Sequence, residues 1–283
     1  MNFRVAAVSF LNTIPLIEYL ADPSDVNCTV TTALPSRLAG MLNEGSVDVA
    51  LVPVVELFRG CGAGMVEGSG IACCGRVDSV KMFHRGPVSD LKRIQVDRGS
   101  RSSVALLNVL MKEITGAVPP FQEVKPDANR KLEWGEGILV IGDRCFEFER
   151  QWLAGGDESL QEMDLGLAWY ELTKLPFVFA VWAISGDFMC ENSAEDVARV
   201  VIQLNRAREK GEDSLSQLAE REASRGRLGH KGEATAEAVA YYFKKSLRFQ
   251  LGELEMRGLA RFHELCIKHG VVPSGPSPMI LRG

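Results

Sequence analysis

The chain has 283 residues, 46% of them hydrophobic and 24% charged, which suits a packed core and argues against disorder. Lys and Arg number 32 against 37 Asp and Glu, a net charge of −5, so the basic face of a non-specific nucleic-acid binder is not expected. At about 150 residues per domain, the length predicts two domains or two lobes. No run approaches 18 unbroken apolar residues, so no transmembrane helix is expected, and the opening MNFRVAAVSFLNTIPL lacks the pattern of a cleaved signal. Seven irregularly spaced cysteines, with Cys73 and Cys74 adjacent, predict a reduced cytoplasmic protein.

In chain order, FRVAAV (3–8) reads as a strand, followed by a helical pattern opening at Pro15. CTVTT (28–32) reads as a second strand and 34–44 as a helix ended by Gly45. VDVALVPVVEL (47–57) begins as a buried strand. The glycine-rich stretch 60–70 fits neither G-x-G-x-x-G nor a P-loop and is expected to be a surface loop, with strand pieces on either side of Gly75 across 70–83. The polar stretch 84–92 suits a crossing into a second lobe. RIQVD (93–97), VALLNVLMKEI (104–114) and GILVIGD (137–143) read as strand, helix and strand, and 175–185 as a strand returning to the first lobe. From Ser193 the chain reads as helical, over 193–204, 233–248 and 252–269, with a charged, solvated block at 206–232 and an extended tail. The alternation of strands and helices predicts an α/β fold with parallel crossovers, lobe 1 holding residues 1–85 and 180–283 and lobe 2 residues 86–179. Ligands in such folds lie at strand ends, and the cleft between the lobes is the default site.

Four short segments fall at strand ends: Ser9 to Asn12, Cys74 to Ser79, Ser100 to Ser103, and Gly142-Asp143. The run Ser100-Arg101-Ser102-Ser103 opens a helix, where free N–H groups and hydroxyls bind carboxylate or phosphate; plain capping by Ser102 or Ser103 is the alternative. Asn12 offers donors and an acceptor but could be a turn residue, and the same holds for Ser79. Asp143 could act as a base, a hydroxyl acceptor or a helix cap. Metal-ligand spacings are absent: His263, Glu264 and His269 do not make His-Glu-x-x-His, and His84 and His230 stand alone. No Gly-x-Ser-x-Gly elbow appears. Trp169, Phe177, Phe179 and Trp182 are expected in the core rather than on a ligand wall.

The ordered set of segments resembles one family. Ser9-Phe10-Leu11-Asn12-Thr13-Ile14-Pro15-Leu16 is similar to the Ser-Tyr-Leu-Asn-x-x-Pro-Leu opening of the chorismate dehydratases of the futalosine route to menaquinone, with Phe10 where Tyr is usual. The likeness continues through 34–56, 100–111, LVIGDRC (139–145), 164–182 and 241–262. The resemblance implies a two-lobe periplasmic-binding-protein fold of the second type with a helical C-terminal segment, working in the cytoplasm without metal or organic cofactor. The implied reaction removes water from chorismate to give 3-[(1-carboxyvinyl)oxy]benzoate, a hydro-lyase activity, with no nucleic-acid or membrane partner. Under this resemblance Asn12 holds the ring carboxylate or the leaving hydroxyl. Ser79 and Ser100, Arg101, Ser102 and Ser103 bind carboxylate, with Ser9, Leu11 and Gly142 completing the expected binding set. The base is either Asp143 or the substrate's own enolpyruvyl carboxylate. The alternatives are a non-catalytic small-carboxylate-binding protein on the same fold and the sister enzyme 1,4-dihydroxy-6-naphthoate synthase, whose Ser-Pro-Cys-Pro-Asn-Asp type opening this chain lacks.

Overall fold

The computed structural model describes residues 2–21, 26–97, 99–125, 127, 131–153, 159–228 and 233–283. His230, named above as a lone histidine, lies outside them. β1 (Asn2–Ala7) leads through a 3-10 turn into α1 (Ile14–Ile17), with Pro15 in the first turn, where a missing N–H breaks no helical bond. β2 (Asn27–Thr32), α2 (Pro35–Asn43) and β3 (Val49–Pro53) follow, and β1 pairs in parallel with both β2 and β3. All five residues of β3 are buried. The apolar run does not continue as a strand; after Pro53 it turns into α3 (Val54–Phe58).

β4 (Gly64–Cys73) corrects one expectation: the glycine-rich stretch is largely an interior strand, not a surface loop. Its glycines permit close packing. A Cβ on Gly70 would stand 2.6 Å from the Ala180 carbonyl oxygen, and Gly68 adopts a φ of 86°.

The second lobe holds β5 (Val80–Arg85), β6 (Arg93–Asp97), α4 (Ser102–Thr115), β7 (Phe121–Val124), β8 (Glu136–Ile141), α5 (Arg144–Leu153), β9 (Leu160–Asp164) and α6 (Leu165–Thr173). The chain returns through β10 (Phe177–Ile184) into α7 (Gly186–Glu191), α8 (Ala194–Asp213), α9 (Leu215–Ser224) and α10 (Glu233–Tyr241). A π-helical turn, Tyr242–Ser246, then leads to β11 (Arg248–Leu251), α11 (Glu253–Lys268) and β12 (Ile280–Leu281). As the Ser193 pattern predicts, its side chain caps α8 by accepting from the Asp196 N–H. The block 206–232 is less solvated than expected: Leu215, Leu218, Ala219, Glu222 and Ala223 of α9 are buried.

Among the described residues, sheet 1 runs β11-β4-β10-β3-β1-β2, with β12 beside β4, and sheet 2 runs β7-β6-β8-β5-β9. The two-lobe α/β architecture stands, but neither sheet is purely parallel. β10 is antiparallel to β3 and β4, and β5 is antiparallel to β8 and β9. The expected boundaries at 85/86 and 179/180 also shift. Residues 80–85 pair within sheet 2 and residues 177–179 belong to a strand of sheet 1, so the crossings fall between β4 and β5 and between α6 and β10. The polar stretch 84–92 misled because its basic residues sit on strand β5 and the turn after it. His84, for instance, is buried, with Nδ1 2.9 Å from the Gly86 carbonyl.

Candidate active site

A cavity of about 610 Å³, mouth included, opens between the lobes where β1, β3, β8 and the first crossing end. Its walls are largely apolar: Val8, Phe10, Leu51, Ile71, Val77, Ile141 and Phe179 contribute, with Pro35 and Pro53. The polar wall is made by Asn12, Ser79, Ser102 and Ser103, and Arg101 is the cation among the lining residues.

Each polar group is placed by a separate device. Asn12 lies on the 3-10 turn that leaves β1, its side chain half-buried. Ser102 and Ser103 open α4, whose first turn has no side-chain cap, so its N–H groups are not taken by a hydroxyl. The Ser102 hydroxyl accepts instead from the Val55 N–H across the lobes, at 3.4 Å. The capping alternative for these serines is thus replaced by a helix N-terminus that faces the cavity, with the partial positive charge of a 14-residue helix behind it. Arg101 stands at the same terminus, half-exposed, with Nε 3.8 Å from a Glu56 carboxylate oxygen.

Ser79 sits on the first crossing, which is held from two sides. The Asp164 carboxylate accepts from the Val77 and Asp78 N–H groups at 3.1 and 2.8 Å, and from Leu167 as the cap of α6. These bonds offset the burial that pushes its pKa up. On the other side, the Ser246 hydroxyl donates to Asp78 at 2.5 Å and the Tyr242 hydroxyl to Ser79 at 2.7 Å. Asp78 between them takes the left-handed conformation, φ 61°. The Gly142 N–H donates to the Ser79 carbonyl at 2.8 Å. Gly142 itself has a φ of 67° and lies under the Phe10 ring, so closely that a Cβ would meet ring carbons at 3.1 Å.

Asn12, Ser79, Arg101, Ser102, Ser103 and Gly142 therefore converge on one cavity. Four other expected residues do not line it. Ser9 is exposed and Leu11 is buried in the core. Ser100 is buried and faces a separate groove, with Val96, Asn108 and His269. Asp143, a candidate base, is turned away: one carboxylate oxygen accepts from the Leu11 N–H at 3.0 Å and the other faces Arg227 at 3.5 Å. It ties the end of β8 in lobe 2 to the 3-10 turn of lobe 1, while burial pushes its pKa up. Nor does it cap α5.

Trp169, Phe177 and Trp182 are core residues as expected, but Phe179 is a cavity wall. Phe10 and Tyr242 have no chemical signature in the sequence. Only the position of Phe10 inside the opening motif pointed at it. Among the described residues no cluster of three or more His, Cys, Asp or Glu could hold a metal, and no helix is long and apolar enough to cross a membrane.

The profile of the menaquinone-biosynthesis family matches residues 3–268. The chorismate dehydratase of Thermus thermophilus is 32% identical over 246 residues, 83% of this chain and 85% of that protein. Among solved structures, a Candida albicans protein described as having the generic periplasmic-binding-protein fold superposes with a TM-score of 0.65, at 14% identity, over 98% of this chain and 92% of that one. The alkanesulfonate-binding protein of Xanthomonas axonopodis pv. citri gives 0.64, at 15% identity, over 96% and 94%. These last two likenesses concern the fold alone. The chain belongs to the menaquinone-biosynthesis family, as a relative of chorismate dehydratase built on the periplasmic-binding-protein fold.

Proposed function

We propose that the protein is a chorismate dehydratase, a hydro-lyase that forms 3-[(1-carboxyvinyl)oxy]benzoate and water. The ring carbon bearing the ether oxygen loses its proton, the neighbouring carbon loses its hydroxyl, and the electrons of the broken C–H bond close the third double bond of an aromatic ring. Aromatisation drives the step, so the protein's task is orientation and exclusion of water rather than strong electrophilic activation.

The observation that carries this reading is the cavity's composition. Its described lining holds hydroxyls, an amide, one guanidinium and a helix N-terminus, and no carboxylate, imidazole or amine. Such a wall binds an anion and offers no base. A substrate with two carboxylates can supply the base itself: the enolpyruvyl carboxylate takes the ring proton, and Asp143 has its partners elsewhere. In this arrangement Arg101, Ser102 and Ser103 hold one carboxylate on α4. Asn12 and Ser79 hold the ring end, where the departing hydroxyl needs hydrogen-bond donors. The apolar walls, with Phe10 over Gly142, keep the reacting face dry. A reducing compartment suits the seven unpaired cysteines.

The test is purified protein with chorismate, chelator present and no cofactor added, followed by mass spectrometry. Loss of one water with an aromatic product supports the reading. Chorismate binding without turnover would favour a solute-binding protein, and neither binding nor turnover would return the sister synthase to the front.

A further inference from the structure

The π-helical turn Tyr242–Ser246 lies far from the other site segments in sequence, yet it grips the first crossing at two consecutive residues. Tyr242 and Ser246, four apart, reach Ser79 and Asp78 respectively. Such turns are uncommon and recur at functional sites. Tyr242 is buried, with its ring edge-on to Phe146 at 5.1 Å between centroids.

The direction of the Tyr242–Ser79 bond follows from burial. A phenol is a donor–acceptor with one proton. Among the described residues Ser79 is the hydrogen-bond partner of the Tyr242 hydroxyl. Were Ser79 the donor, the phenol proton would point into a packed interior with no acceptor, which is costly. Tyr242 therefore donates, and burial, which pushes its pKa well above 10, keeps that proton in place at any working pH. A hydroxyl that already accepts at this site has its own proton to give. Ser79 lines the cavity, so that proton is directed into it.

We propose that Tyr242 is a positioning residue that biases Ser79 toward donating its proton, so that this end of the cavity favours a lone-pair-bearing oxygen, carboxylate or departing hydroxyl, over the N–H donors of an amide. The proposal rests on the dehydratase reading for its substrate, and assigns the C-terminal segment a part in recognition.

The experiment compares wild type, Tyr242→Phe, Ser79→Ala and the double variant. The readouts are kcat and KM for chorismate, and binding of the reaction product and its two monoamides. Wild-type turnover comes first; its absence would defeat the dehydratase reading and say nothing against Tyr242. With turnover present, Tyr242→Phe is expected to lower kcat/KM by about tenfold, the size of one oriented hydrogen bond. It should also shrink the preference for the acid over the amide that falls at Ser79, because a freed Ser79 hydroxyl can rotate to accept. In the Ser79→Ala background the same change should have no further effect on kcat/KM. An unchanged acid-over-amide preference, or an equal loss in both backgrounds, would overturn the proposal. Should Tyr242→Phe alone be too unstable to assay, Ser79→Ala against the double variant still decides. Ser79→Ala leaves the buried phenol without an acceptor, so the double variant should have the higher Tm and equal activity; a lower Tm with lower activity would overturn the proposal.

Discussion

Replacing Asp143 separates a catalytic base from an inter-lobe clasp. In Asp143→Asn an amide oxygen can still accept from the Leu11 N–H, now 3.0 Å from the carboxylate, and only the contact with Arg227 at 3.5 Å loses its charge. That contact is partly exposed, on both sides, and contributes below about 1 kcal/mol. In Asp143→Ala the N–H of Leu11, a fully buried residue, has no acceptor, at a cost of about 1–3 kcal/mol. At about 2–3 °C per kcal/mol for a chain of this size, the expected loss in Tm is at most about 3 °C for Asn and about 2–9 °C for Ala. Activity divides the readings more sharply. General-base catalysis contributes about 10²–10⁴ in rate, so a base replaced by an amide would lose at least a hundredfold in kcat. The clasp predicts that Asp143→Asn keeps kcat within about threefold, in line with a substrate that supplies its own base. Chorismate turnover followed by product mass, with thermal melts on the same preparations, gives both numbers. A hundredfold fall in kcat for Asp143→Asn with an unmoved Tm would refute the clasp and restore Asp143 as the base.

Asn12→Ala should lower kcat/KM by about 10- to 100-fold through loss of the amide's hydrogen bonds to the ring end, and an unchanged kcat would remove Asn12 from the chemistry. Gly142→Ala forces a side chain into the left-handed conformation at a cost of about 1–2 kcal/mol and pushes the Phe10 ring toward the cavity, so both a lower Tm and a higher KM are expected; wild-type values for both would contradict the packing described. Stability should begin to fall below pH 7, because burial holds His84 and His263 below the usual imidazole value of 6.5, and should fall further on acidification below pH 4.5. Although burial opposes it, Arg76 at 2.7 Å and Lys81 at 3.1 Å hold the Glu162 carboxyl below its usual range, and Lys268 and His269 do the same for Glu113. Carboxyls whose folded pKa lies below the unfolded value of 4.5 stabilise fully above it and lose that contribution as the pH falls through the folded value. Glu162→Gln should therefore lower the Tm at pH 7 and lessen its slope between pH 4.5 and 3, and an undiminished slope would exclude Glu162 as a contributor.

The lobes were legible because their strands carry the pattern physics requires. β1, β3, β8 and β10 carry short apolar runs of β-favouring residues, β6 alternates Ile94 and Val96 with polar residues, and α4 and α8 have periodic apolar faces, so composition and spacing alone located them. β4 was not legible, since glycines read locally as loop while their value here, close approach between sheet neighbours, depends on partners more than a hundred residues away. The lobe boundary failed for a related reason: the polar end of β5, His84 and Arg85, looks like a crossing until its partners in sheet 2 are known. In the cavity wall, the small polar residues expected at strand ends lie together at Asn12, Ser79, Ser102, Ser103 and Gly142. Ser100 and Asp143 do not join them, because a strand-end position does not fix which way a side chain turns. The apolar walls and Tyr242 carried no sequence signal, as such residues serve equally well in any core.

The order of strands in sheet 1 has a consequence for how the molecule is made. Sheet 2 is written in one uninterrupted stretch, from Val80 to Asp164, and can close as soon as that stretch has left the ribosome. Sheet 1 cannot. Its strand β4 waits for β10, then β11, and then for Ile280 and Leu281 of β12. The second lobe is thus free to fold first, as an insert within an unfinished neighbour, and completion of the first awaits β11 and β12. Until then β4 presents an unpaired edge to other nascent chains, and Ile280 and Leu281, made well after β10 and β11, cover part of it.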